Sequence, residues 1–180
     1  LAEHYPQHLP VYGAFPRGAQ KADFLRYLLV HHYGGAYCDL DLFCGSSLSG
    51  ILGDAQAVFV TEKMLSEEAA RERGKRHPIR RGEAEQQQRI ANYFFAARPG
   101  HDIFEGLIEL IVQRAQEVPR EDYDVIYITG PDAMTEAVLS FRDTGTRILS
   151  LAEGSRLASH LCRGSWRAGK DAEIGKAELA

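Results

Sequence analysis

Between Ala22 and Tyr33 the side chains of Leu25, Leu28, Leu29 and His32 recur every three or four residues, and Gly34-Gly35 follows. That spacing predicts a helix of about three turns with a glycine stop. From Ala36 to Phe43 the period changes to two, with Tyr37, Asp39 and Asp41 on one side and Cys38, Leu40 and Leu42 on the other. Such alternation predicts a strand. Ala57 to Thr61 is a short apolar run suited to a buried strand, and Ile90 to Ala97 is apolar and aromatic around Asn92 until Pro99-Gly100 ends it. Ile103, Phe104, Leu107, Ile108, Ile111, Val112 and Ala115 mark an amphipathic helix. Val125 to Thr129 reads as another strand. Gly130-Pro131 then opens a helix whose inner side carries Ala133, Met134, Ala137, Val138 and Phe141, and Ile148 to Leu151 reads as a last strand.

The intervening stretches are less patterned. Leu1 to Gly18 is rich in Pro and Gly and is expected to be a surface loop. Residues 62–88 carry dense charge of both signs, broken by Gly74, Pro78 and Gly82, and read as a variable excursion. The tail 171–180 is small and charged and is expected to fray. Strands interleaved with helices predict an α/β layered domain, a single one over residues 1–180, with no internal repeat.

Composition supports one folded domain. The 180 residues are 44% hydrophobic and 26% charged. A chain of that length buries roughly 70% of its unfolded surface, so a metal is not required merely to fold it. A net charge of -4 argues against a nucleic-acid partner, which calls for a basic surface. No apolar run reaches the roughly 20 residues of a membrane span, and residues 1–10 lack the layout of a signal peptide. Cys38, Cys44 and Cys162 form no CxxC pair and leave one over, which fits neither a disulfide framework nor a zinc site. These features point to the cytoplasm, with peripheral membrane association as the alternative.

Asp39-Leu40-Asp41 carries the most chemistry. In an extended strand its two carboxylates would stand roughly 6 to 7 Å apart on one face, where mutual repulsion is on the order of 2 to 3 kcal/mol. A divalent cation relieves that repulsion. Carboxylates suit Mg²⁺ or Mn²⁺, and two of them leave coordination positions for substrate phosphates. Alone, a D-x-D is better explained by solvated surface acids. Its context adds weight, because Asp23, Arg26, Tyr27 and Val30 share one helix face leading into Tyr37, Asp39 and Asp41.

The run from Lys21 to Phe43, KADFLRYLLVHHYGGAYCDLDLF, resembles the signature of the glycosyltransferase sugar-binding region containing the DXD motif. That family includes fungal initiating mannosyltransferases and bacterial capsular-sugar transferases. Asp23, Arg26, Tyr27, Gly34, Gly35, Tyr37, Asp39 and Asp41 match in one register. More weakly, Asn92 with Arg98-Pro99-Gly100-His101, then Thr129-Gly130-Pro131, then His160 with Ser165-Trp166, are similar to later family features in the same order. The resemblance implies a GT-A fold, a Rossmann-type mixed sheet flanked by helices, a divalent cation and retention of anomeric configuration. It implies that Asp39 and Asp41 serve metal and ribose, that Asp23 and Arg26 contact the donor sugar, and that Tyr37 and Asn92 line the pocket. His160, Ser165 and Trp166 would close over the diphosphate.

The resemblance also implies partners: a UDP- or GDP-sugar donor and a hydroxyl acceptor on a glycan, a lipid-linked sugar or a polysaccharide. Residues 62–88 are the expected source of acceptor choice. About twenty residues precede the signature helix, whereas the family has a longer N-terminal segment that builds the base side of the pocket. Leu1 to Gly18, with Tyr5, Leu9, Val11, Tyr12 and Phe15, or a second copy of the chain, is expected to cover that side. Two other readings stand beside this one: a non-catalytic sugar-nucleotide-binding module, and a DxD phosphatase using Asp39 as nucleophile. The phosphatase pattern wants Thr or Val at position 43, where this chain has Phe.

Overall fold

A computed structural model of the chain describes residues 1–76, 87–117 and 121–160. Its centre is a four-stranded mixed sheet of β1 (Gly35–Cys38), β4 (Gln88–Ala97), β3 (Ala57–Met64) and β5 (Thr146–Leu149), in that order across the sheet. β4 runs antiparallel to both β1 and β3, and β5 lies parallel to β3. A second, two-stranded sheet pairs β2 (Leu42–Cys44) with β6 (Ala158–His160). The α/β mixed sheet flanked by helices is therefore the architecture the sequence predicts.

β4 explains why its sequence reads as a continuous apolar run. It lies between two strands and is covered on both faces, so alternate residues enter different cores. Ile90 and Phe95 pack with Phe24, Tyr27, Phe104 and Met134, whereas Ala91 and Phe94 pack on the other face with Val58 and Leu157. The first core is built by α2 (Gly18–Tyr33), α4 (Asp102–Arg114) and α6 (Pro131–Phe141), the second by α7 (Leu151–Leu157) and the loop before β3. Each large side chain fully buried there stabilises the fold by about 1.5 to 3 kcal/mol.

α2 ends where the sequence requires it to. Gly34 caps the helix at φ 66°, its N–H donates to the Val30 carbonyl, and a Cβ at this position would stand 2.7 Å from Cδ of Pro99. The Gly100 N–H in turn donates to the His31 carbonyl at 2.7 Å. Helix end and β4 exit are thus locked together, which fixes where β1 starts.

Several elements differ from the sequence reading. The strand expected from Ala36 to Phe43 is two strands, because residues 40 and 41 form a turn closed by the Leu42 N–H on the Asp39 carbonyl at 3.1 Å. Val125 to Thr129 is not a strand: Asp122–Ile128 forms helix α5, whose Asp124 carboxylate accepts from the Glu121 N–H at 3.1 Å. The acid-rich approach to this segment caps a helix and overrides its β-branched content. The last strand ends at Leu149, since Ser150 caps α7 and its own N–H and hydroxyl donate to Glu153. Phe141 is half exposed at 50%, with its ring across Gly106 of α4.

Leu1 to Gly18 is not a loop throughout but contains a 3₁₀ turn at Pro6–His8 and helix α1 (Leu9–Ala14). It packs on α2, with the Phe15 ring edge-on to Phe24, His4 stacked on His32 at 4.1 Å, and the Tyr5 hydroxyl 2.7 Å from Nδ1 of His31. Residues 62–88 enter helix α3 (Glu67–Arg76). The tail 171–180 lies outside the described residues. Among those described, no helix is long and apolar enough to cross a membrane.

Candidate active site

Asp39 leaves the end of β1, whose register on β4 pairs Tyr37 with Phe95 and Cys38 with Phe94. Its N–H donates to the Tyr93 carbonyl at 2.9 Å, which continues the ladder by one bond before the chain turns. Asp41 follows in the turn and precedes β2. Because β2 pairs Leu42 with His160 of β6, the imidazole is delivered beside the turn. Nε2 of His160 lies 3.0 Å from Oδ1 of Asp41 and 3.7 Å from Oδ2 of Asp39. The Tyr93 ring stacks on it at 4.2 Å and 7° and fixes its plane.

One ligand atom from each of Asp39, Asp41 and His160 lies within 4.8 Å of the others. The turn, not a strand face, brings the carboxylates together, and they approach more closely than the extended spacing predicts. Two hard carboxylates and one imidazole form a donor set that fits Mn²⁺ or Mg²⁺ and leaves positions for other ligands.

The second half of the site hangs on Arg26 of α2. One terminal nitrogen donates to Oδ1 of Asp39 at 2.9 Å and to the Asn92 carbonyl at 3.0 Å, and the other lies 3.2 Å from Oδ1 of Asp23. The guanidinium stands 4.6 Å over the Tyr37 ring, and the Tyr37 hydroxyl donates to the same Asp39 oxygen at 2.6 Å. Asp23 accepts from the Asn92 amide at 3.1 Å and from the Thr129 hydroxyl at 2.9 Å. Tyr27, wholly buried, donates to the Thr129 carbonyl at 2.8 Å.

Burial pushes the Asp23 carboxyl up to about 7, with Arg26 and the Thr129 hydrogen bond opposing that rise. Tyr37 is raised by burial and by its hydrogen bond to Asp39, so its hydroxyl stays a donor. Arg26 is held charged above its ordinary value: Asp23 leads the attractions that outweigh its burial.

One cavity of about 310 Å³ is lined by Asp39 and His160 together with Val125, Ile126 and Pro131. Asp23, Arg26 and Asn92 lie along it, as do Glu62 and Arg89. The structure thus gathers Asp23, Arg26, Tyr37, Asp39, Asp41, Asn92 and His160. Ser165 and Trp166 lie outside the described residues. Sequence reasoning missed Tyr93, Glu62 and Arg89. Tyr93 follows Asn92 directly, and Glu62 and Arg89 bracket the charged stretch, but only the β3–β4 pairing reveals that its two ends meet.

Residues 1–59 match the family described as glycosyltransferase sugar-binding region containing DXD motif. The chain is 44% identical over 52 residues to inositol phosphoceramide mannosyltransferase 2 of Schizosaccharomyces pombe, covering 29% of this chain and 15% of that protein. It is 40% identical over 55 residues to inositol phosphoceramide mannosyltransferase 1 of the same organism, covering 31% and 17%. A longer match, 25% identical over 156 residues, is to HOC1 of Saccharomyces cerevisiae, provisionally named a glycosyltransferase, and covers 78% of this chain and 38% of that one. The chain spans 15 to 17% of the length of the two mannosyltransferases. No solved structure matches. The N-terminal stretch therefore carries the DXD glycosyltransferase signature, and the residues gathered at the cavity come in large part from it.

Proposed function

We propose that this chain is the catalytic core of a glycosyltransferase that moves a sugar from a nucleoside-diphosphate donor to an acceptor hydroxyl with retention of configuration. The observation that carries the reading is the cluster of Asp39, Asp41 and His160, two of whose members, Asp39 and His160, line the same cavity as the Asp23–Arg26 pair. Asp39, Asp41 and His160 would hold a divalent cation, Mn²⁺ or Mg²⁺. When bound, such a cation offsets charge on a diphosphate leaving group.

The chain's own groups have distinct tasks. Arg26 and the Tyr37 hydroxyl both bind Oδ1 of Asp39 and fix its carboxylate, so its orientation is set before any ligand arrives. Asp23 and Asn92 present polar edges to the cavity, where they would orient donor-sugar hydroxyls. Val125, Ile126 and Pro131 supply an apolar wall that excludes water from the sugar. Among the described residues Glu62, the one other cavity carboxylate, is ion-paired with Arg89 and is not assigned as a nucleophile, so the acceptor hydroxyl attacks on the face the leaving group departs from. Ser165 and Trp166 are assigned to the diphosphate by family resemblance.

The donor is a UDP- or GDP-sugar, and the relatives' names favour mannose, hence GDP-mannose. The acceptor is a hydroxyl of a glycan or of a lipid-linked headgroup; the same names favour an inositol-bearing lipid over a polysaccharide. A lipid-linked acceptor would place the reaction at a membrane surface. The phosphatase alternative fits poorly, because an Asp39 oxygen bound by a guanidinium and a phenol is a weakened nucleophile.

Thermal shift with UDP, GDP, UDP-glucose, GDP-mannose and bare diphosphate, each with and without Mn²⁺, tests the reading. Mn²⁺-dependent stabilisation by a sugar nucleotide is expected, followed by release of free sugar or its transfer on longer incubation. Binding with no turnover would make the chain a sugar-nucleotide-binding module, and no stabilisation by any nucleotide would refute the reading.

A further inference from the structure

The cavity that Arg26 lines holds a second acid–base pair, Glu62 and Arg89, that the proposed reaction does not use. Glu62 lies near the end of β3 and Arg89 near the start of β4, so the two strands that leave and re-enter the sheet around residues 65–87 present them side by side. Oε2 of Glu62 is 2.7 Å from Nε of Arg89, yet the two atoms are not aligned as a hydrogen bond, and both are buried without such a partner. Arg89 is also 3.9 Å from Oδ1 of Asp132. Asp132 itself is engaged elsewhere, accepting from the Tyr123 hydroxyl at 2.9 Å and from Arg73 at 3.5 Å.

The contrast with Arg26 is the informative point. Arg26 donates to Asp39 and to the Asn92 carbonyl, and Asp23 is bound by three partners. The Arg89 side chain is only 13% exposed and forms ion pairs, yet its buried Nε has no aligned hydrogen-bond acceptor. A buried N–H without an aligned acceptor is unfavourable, and the terminal nitrogens of the same guanidinium have no hydrogen-bond acceptor among the described residues and can take one from a ligand in the cavity. Both Glu62 and Arg89 line the cavity, which gives that ligand its place.

Charge defines its chemistry. Glu62 and Asp132 offset Arg89 and Arg73, so the corner is neutral and has no excess attraction for a phosphate. The carboxylate accepts from one hydroxyl while the guanidinium beside it donates to the oxygen of the next, so the pair is the complement of a vicinal diol. We propose that Glu62 and Arg89 form a specificity subsite that holds two adjacent hydroxyls of a sugar or cyclitol ring. The proposal rests on the glycosyltransferase reading for the identity of the ring, which is either the donor sugar or the acceptor polyol.

The test is calorimetry on the wild type, Glu62→Gln and Arg89→Lys in the presence of Mn²⁺, with GDP, GDP-mannose, UDP, UDP-glucose and myo-inositol as probes. Both variants should lose roughly tenfold or more in affinity for a hexose- or inositol-bearing probe, the loss expected when a charged hydrogen-bond partner is altered, with GDP and UDP binding unchanged; loss of GDP or UDP affinity as well would assign the diol to ribose and overturn the proposal. Loss confined to a sugar nucleotide assigns the subsite to the donor, and loss confined to myo-inositol assigns it to the acceptor. Unchanged affinity for every probe in both variants, or a wild type that binds no hexose- or inositol-bearing probe, overturns the proposal. A wild type that binds myo-inositol but no nucleotide removes the glycosyltransferase reading and leaves the subsite to be decided by the inositol arm. If a variant fails to fold, the wild type is titrated with singly deoxygenated forms of the probe it binds. Equal affinity for all of them overturns the diol subsite, and a tenfold loss at two adjacent positions supports it.

Discussion

Asp23 is a carboxyl that the fold holds at a thermodynamic disadvantage, and replacing it with Asn exposes that disadvantage. Its value rises from 3.8 to about 7 on folding, chiefly through burial. The folded state therefore binds a proton more tightly than the unfolded chain, and stability falls as pH rises between about 4 and 7. At 1.36 kcal/mol per unit, the loss across that window is on the order of 4 kcal/mol. Asn has the shape of the protonated acid and does not titrate. Asp23→Asn and wild type should have similar stability near pH 4 and diverge above it, until the variant is the more stable by a few kcal/mol at pH 8. Urea unfolding in steps of half a pH unit, with the slope on denaturant checked for constancy, reads this directly. The same substitution turns one of the two carboxylate oxygens, which face Thr129 and Arg26 respectively, into an NH2 donor and removes the negative charge opposite Arg26, so turnover should fall even as stability rises. Parallel pH profiles for the two proteins, or a variant less stable than wild type at pH 8, would show that Arg26 compensates the buried charge in full and that the reasoning from burial is wrong.

Asp41→Asn should leave the fold intact and abolish Mn²⁺-dependent thermal stabilisation, because a weakened ligand set holds a hard cation poorly; retained stabilisation refutes the ligand assignment. Gly34→Ala should destabilise by about 2 to 4 kcal/mol in chemical denaturation, since it combines a glycine-only backbone region with a Cβ 2.7 Å from the Pro99 ring. Leu40→Ser, at a wholly exposed position on the turn between the two acids, should change stability by no more than about 0.5 kcal/mol in the same assay.

Much of this arrangement is readable from sequence because its signals are local. The period of α2 sets Asp23 and Arg26 one turn apart, Gly34-Gly35 stops the helix, and the apolar run of β4 marks a central strand. The errors lie where local and tertiary preferences disagree. Val125-Ile126-Tyr127-Ile128 has strand propensity, but Asp124 caps it and Val125 and Ile128 turn one helical face to the core. Asp39 and Asp41 alternate as in a strand, yet the bond from Leu42 to Asp39 makes a turn, which alternation cannot distinguish over three residues. The Glu62–Arg89 pair and the stacking of Tyr93 on His160 depend on strand register, and register across a long excursion leaves no trace in either segment alone.

The contact between Asp41 and His160 joins residues 119 positions apart. In polymer terms, anything that grips both closes a loop of more than a hundred residues. Closing such a loop in a disordered chain forfeits entropy on the order of 4 to 5 kcal/mol, a figure that rises only slowly with further length. A cation at this position would thus act as a clasp on the whole chain as well as a local ligand. Its residence time would be tied to the fraying of the short ribbon of β2 and β6 that carries the two grips, so that ribbon opening and ion exchange become a single kinetic event.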